Sequence, residues 1–148
     1  MLNIAFLLDK SNDWLSEYLS KYQYLLKRFN VNIIYDEQEV RGFDVVFVLG
    51  YTRLLKGGIL DKNKLLLVIH GSNLPKGRGF APIQWQILEG KNSITVCLLK
   101  VSKEADMGDI FDKTPLLFNG TELYEEIREK QAQITFELIE NFLNKYPN

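Results

Sequence analysis

The chain of 148 residues holds one histidine, His70, and the segment around it is the part of the sequence best suited to chemistry. An apolar run, residues 65–69, leads into His70-Gly71-Ser72-Asn73-Leu74-Pro75-Lys76-Gly77-Arg78-Gly79, which is polar and glycine-rich. An imidazole titrates near pH ~6.5, so it can donate a hydrogen bond or move a proton in neutral water. A carboxylate beside it would orient the ring and favour its charged form. Asp106, in Asp106-Met107-Gly108-Asp109-Ile110, stands in the turn after a predicted strand. Residue types alone leave two readings open. Most lone histidines at strand ends are hydrogen-bonded packing residues, and an aspartate close to a glycine commonly builds the turn itself. Lys76 and Arg78, separated by Gly77, either hold a phosphate or carboxylate by charge-assisted hydrogen bonds or line a solvated turn.

The elements that must position these groups follow from hydrophobic spacing. Residues 3–8, 31–35, 44–49, 64–70 and 93–101 are short apolar runs of strand length. Continuous runs of this kind suit strands covered on both faces, hence a mostly parallel sheet with crossover helices. Between the first two, Leu15, Tyr18, Leu19, Tyr22, Leu25, Leu26 and Phe29 recur at helical intervals and predict one amphipathic helix. A second helix is expected from Pro82 to a stop at Gly90. After the acidic turn 103–109, a short return segment is expected at residues 110–111. Thr121 is expected to cap a long last helix that buries Leu123, Ile127, Ile134, Leu138 and Phe142. The fold class is therefore α/β: a single three-layer domain over residues 1–148. His70 falls at the carboxyl end of a strand, where open α/β sheets take their ligands.

Composition narrows the function. Hydrophobic content of 46% and charged content of 25% are those of a globular chain. A net charge of −1 offers no general electrostatic reason to bind nucleic acid. Cys97 is alone, which leaves no disulfide framework and no cysteine-based zinc site, so no metal is expected. No apolar run reaches membrane-spanning length, and the first residues carry no basic leader; a cytoplasmic protein with no membrane partner is expected. The first turn, Asp9-Lys10-Ser11-Asn12-Asp13-Trp14, lacks the glycine pattern that lets a backbone approach a pyrophosphate.

Taken together, His70-x-Ser72-x-Leu74-Pro75-Lys76-Gly77-x-Gly79, the expected helix from Pro82 and Asp106-x-Gly108-Asp109-Ile110 resemble the N10-formyltetrahydrofolate-dependent formyltransferase family. The resemblance implies a Rossmann-like domain that uses N10-formyltetrahydrofolate as co-substrate. An amine attacks the formyl carbon, an oxyanion develops, and protons must leave the amine and reach the folate nitrogen. It implies that His70 stabilises the oxyanion and moves protons and that Asp106 orients His70; Ser72 is the nearest hydroxyl and Asn73 the nearest amide, each either a donor to the formyl oxygen or a residue that orders the loop. Arg53, Leu54 and Leu55 would form one wall of the folate pocket, and Ser102, Ala105 and Met107 the other. Leu54 and Leu55 can equally begin a core helix. Lys76, Arg78 and Trp14 are the candidates for holding the acceptor. The family's asparagine two residues before the histidine is Val68 here, which removes a donor to the formyl oxygen. That departure resembles the bacterial branch that formylates amino sugars, nucleotide-linked or otherwise activated, for surface glycans, while the glycine-poor first turn counts against the purine-pathway branch, where that turn holds a substrate phosphate. The resemblance admits a homodimer, and the single domain over residues 1–148 is expected to lack a C-terminal extension common in the family. Two other functions stay open: a non-catalytic folate or sugar-nucleotide binding module, and an enzyme like methionyl-tRNA formyltransferase.

Overall fold

The computed structural model describes residues 1–51, 55, 58–71, 90, 92–101 and 108–146. They fall into two compact units, residues 1–68 and 69–148. In the first unit, β1 (Ile4–Leu8), β2 (Val31–Ile34) and β3 (Val45–Leu49) are joined by the beginning of β4 (Leu66–His70). All of these pairings are parallel: β1 lies between β2 and β3, and β3 pairs with β4. Every residue of β1 and of β3 is buried, as their unbroken apolar runs require of strands covered on both faces. Register places Phe6 opposite Phe47, and their rings meet edge to face at 5.7 Å.

The single helix expected over residues 15–29 is divided. α1 (Ser16–Leu19) passes through a 3₁₀ turn, Ser20–Tyr22, into α2 (Gln23–Arg28). Tyr22, at φ −113° and ψ 24°, leaves helical geometry and resets the stripe. Leu15 and Leu25 still reach the core, at 2% and 0% exposure. Asn30 then turns the chain into β2 at φ 52°, a left-handed conformation that asparagine tolerates better than most residues. A third helix, α3 (Gly58–Lys62), precedes β4.

The second unit contains β5 (Ser93–Lys100), β6 (Ile110–Leu117) and the long helix α4 (Tyr124–Lys145). The two strands are antiparallel, in register from Ser93↔Leu117 to Leu98↔Asp112. The strand order of the sheet is β2-β1-β3-β4-β5-β6, so the expected mostly parallel α/β sheet is present with one antiparallel member. Ile94, Val96, Leu116 and Leu138 form a buried cluster, with Ile69, Phe118 and Ile134 packed against it.

Three expectations change here. The return segment is an eight-residue strand and not the pair 110–111; antiparallel pairing with β5 overrides the mixed polarity of Asp112-Lys113-Thr114-Pro115. Thr121 does not cap α4, because its N–H and its hydroxyl both donate to Asn119 Oδ1 and the helix begins three residues later. The buried stripe of α4 runs through Ala132, Thr135, Phe136, Leu138, Ile139 and Leu143. Leu123 is 71% exposed, while Ile127, Ile134 and Phe142 are only half-buried. Leu138 alone of the expected five is fully buried. The helix expected from Pro82 lies outside the described residues; Gly90, its expected stop, sits in a turn at φ +83°.

Candidate functional site

His70 is the last residue of β4 and is 4% exposed. Its direction follows from its neighbour. Ile69 packs on the cluster formed by β5, β6 and α4, and successive side chains of a strand point to opposite faces. The imidazole therefore leaves the sheet on the face opposite that cluster. Val68, two residues earlier, shares its side and is half-buried. The residue that departs from the family pattern thus stands on the same face as the histidine, one pleat away.

Gly108, the glycine of the Asp-x-Gly-Asp segment, has a structural reason. A Cβ built there would overlap the Lys100 carbonyl, so the chain can return past the end of β5 only without a side chain. Next to it, the Lys100 N–H donates to the Asp109 carbonyl at 2.8 Å. The two ends of the segment that contains Asp106 are thereby clamped together at the close of β5.

The first unit carries its own group of polar residues at strand ends. β1 has β2 on one side and β3 on the other, so the connections leave in opposite directions, the arrangement at which open α/β sheets form a ligand crevice. Asp9, just after β1, is 2% exposed; its Oδ1 accepts from the Ser11 N–H at 3.0 Å and hydroxyl at 2.7 Å. A carboxylate therefore occupies donors that a bound anion would otherwise use. The Lys10 ammonium lies 5.6 Å from the centroid of the Tyr35 ring. Burial, together with the charge and hydrogen bond of Asp13, raises the Tyr35 phenol above its ordinary pKa. After β3, Gly50 adopts φ +62°, and the Tyr51 hydroxyl donates to Glu37 Oε1 at 3.0 Å. Asp9, Tyr35, Glu37 and Tyr51 were not singled out from sequence. Asp9-Lys10-Ser11 after an apolar strand was the one available signal, since aspartate caps a chain reversal from just this position.

Of the residues proposed from sequence, Trp14 is half-buried, with its ring edge-on to Tyr18 at 6.3 Å. Leu55 is half-buried and outside regular secondary structure. Arg53, Leu54, Ser72, Lys76, Arg78, Ser102, Ala105, Asp106 and Met107 lie outside the described residues. Among the described residues, no three His, Cys, Asp or Glu side chains gather as they would around a metal ion. No helix of the described residues is long and apolar enough to cross a membrane.

Comparison with known proteins finds relatives of the chain. A family model described as formyl transferase matches residues 5–139. A methionyl-tRNA formyltransferase of Rickettsia canadensis (strain McKiel) is 34% identical over 106 residues, covering 71% of this chain and 35% of the relative. The chain spans about a third of the length of such curated relatives. Among solved structures, methionyl-tRNA formyltransferase from Clostridium thermocellum superposes with a TM-score of 0.80 at 25% identity, covering 100% of this chain and 67% of that one. HypX from Aquifex aeolicus, solved in complex with tetrahydrofolic acid, shares the fold with a TM-score of 0.68 at 24% identity, over 99% of this chain and 28% of its own.

Proposed function

Because the chain belongs to the formyl transferase family, we propose that it moves a formyl group from N10-formyltetrahydrofolate to the amine of a small acceptor, an amino sugar that is nucleotide-linked or otherwise activated. The observation that carries this reading is His70: a family match over residues 5–139 with the chain's one histidine buried at the carboxyl end of a sheet strand. In the proposed reaction, His70 donates a hydrogen bond to the formyl oxygen as negative charge develops there. It also carries the proton released by the attacking amine to the departing folate nitrogen. Asp106 orients the ring. Ser72 supplies a hydroxyl beside the same strand end. Arg53, Leu54 and Leu55 with Ser102, Ala105 and Met107 form the two walls of the folate pocket, while Lys76, Arg78 and Trp14 hold the acceptor.

Val68 supports the sugar acceptor as a departure shared with the sugar-formylating branch, and the carboxylate of Asp9, which fills the first turn, speaks against the purine-pathway branch whose substrate phosphate is held there. A second reading has its own support, because the curated relatives include methionyl-tRNA formyltransferases at 31–34% identity. Incubating the protein with N10-formyltetrahydrofolate and, separately, a panel of nucleotide-linked amino sugars and methionyl-tRNA decides between them. Formylated sugar that disappears in His70→Ala is the expected result. Formylation of methionyl-tRNA alone establishes the second reading. Folate binding with no turnover on any amine leaves a binding module.

A further inference from the structure

β6 ends the strand order, so one side of its backbone has no strand beside it among the described residues. The hydrogen-bond pattern identifies which groups face that side. The Phe118 N–H donates to the Asn92 carbonyl at 2.8 Å, and the paired register continues from Leu117↔Ser93 to Asp112↔Leu98. Alternate residues of an antiparallel strand bond their direct opposites. Asp112, Thr114 and Leu116 therefore turn their backbone groups toward β5, while Lys113, Pro115 and Leu117 turn theirs outward.

Such an edge invites another strand. It is eight residues long, and Ile110, Phe111 and Leu117 are 40%, 47% and 61% exposed. Three of its outward positions are nevertheless spoiled for pairing. Pro115 has no N–H to offer. The Lys113 N–H donates at 2.8 Å to Oδ1 of the preceding Asp112. The Leu117 carbonyl accepts from Lys130 Nζ at 3.1 Å, and that ammonium is held in place by Glu122 Oε2 at 2.6 Å. The three lie at consecutive outward-facing positions, so any strand laid along this edge meets a missing or occupied group at each.

We propose that Pro115, Asp112 and Lys130 close the outer edge of β6 to strand addition, so that a second copy of this chain cannot extend the sheet there. The device is independent of the activity proposed above, and its test needs no substrate. Sedimentation velocity over a range of concentrations compares the wild-type chain with P115V/D112A. The double variant restores one outward N–H and frees another. It is expected to strengthen self-association by roughly tenfold or more, as two restored donors on each of two symmetric copies imply, with the far-UV circular dichroism spectrum retained. Adding Leu117→Lys, which places a charge on the same edge, is expected to return the protein to wild-type behaviour. A folded double variant that sediments as the wild type overturns the proposal. So does wild-type association that Leu117→Lys abolishes. Should the double variant fail to fold, P115V alone is read in the same way, because position 115 faces away from β5 and makes no ladder bond.

Discussion

At the scale of single residues, the structure separates what His70 is from what surrounds it. It is buried at 4% exposure, it ends β4, and alternation from Ile69 sends its side chain to the face opposite the β5–β6–α4 cluster. Removing a group that moves protons in a transition state ordinarily lowers the rate by about 10²–10⁴-fold. His70→Ala is accordingly expected to lose formyl transfer by that factor, measured in single turnovers on the identified acceptor. Its circular dichroism spectrum should be unchanged, since the histidine ends a strand and adds no apolar packing to the cluster. Glu122 makes a second prediction at this scale. Its carboxylate accepts the Lys130 ammonium and the N–H groups of Asn119 and Gly120, and the ammonium first of all holds its pKa down from 4.5 to about 2. A carboxylate whose folded pKa is depressed stabilises the fold above its unfolded pKa and loses that contribution as pH falls toward the folded value. Urea midpoints of wild type and Glu122→Gln should therefore differ near neutrality and converge as pH drops from about 4.5 toward 2.

At the scale of elements, the join between β5 and β6 depends on Gly108. Any larger residue puts its Cβ into the Lys100 carbonyl, and crowding a packed backbone in this way costs about 1–3 kcal/mol. Gly108→Ala should lower the urea midpoint accordingly. It should also lower kcat for the proposed reaction more than it raises KM for the acceptor, as the role proposed for Asp106, two residues earlier in the chain, requires. A bulge lies nearby. Register shifts between Leu98 and Leu99 leave Phe111 as the extra residue of β6, and its ring meets Phe142 of α4 at 5.7 Å. Within α4, Phe136 is 1% exposed at the middle of the buried stripe. Phe136→Ala is expected to remove about 3–5 kcal/mol, read from the same denaturation curves.

For the whole molecule, folate recognition can be separated from turnover by stability. A ligand that binds only the folded chain adds about 2.7 kcal/mol when present at a hundred times its Kd. A non-reactive folate analogue should raise Tm in the wild type and by a similar amount in His70→Ala. A shift lost with the histidine would place His70 in binding; no shift in either protein would remove the folate assignment altogether.

Much of this was legible in the sequence. The apolar runs of β1 and β3 are buried at every residue, and the run before His70 became the strand that carries it. Continuous burial on both faces is a property of composition, and composition is local. The Asp-x-Gly-Asp segment was visible as a motif, yet the reason for its glycine was not, because the Lys100 carbonyl that forbids a side chain is brought there by the hairpin. Nor was β6 legible at full length. Its polar residues become a strand only by pairing with β5, and the groups guarding its edge come from the strand itself and from α4. Thr121 failed as a cap for a similar reason: Asn119 competes for its donors two residues away. Residue type and spacing thus determined the strands and nominated the histidine. Which face His70 occupies, why Gly108 cannot be replaced and where α4 starts were decided by tertiary contacts, since each depends on atoms distant in the chain or on a local competition that spacing does not rank.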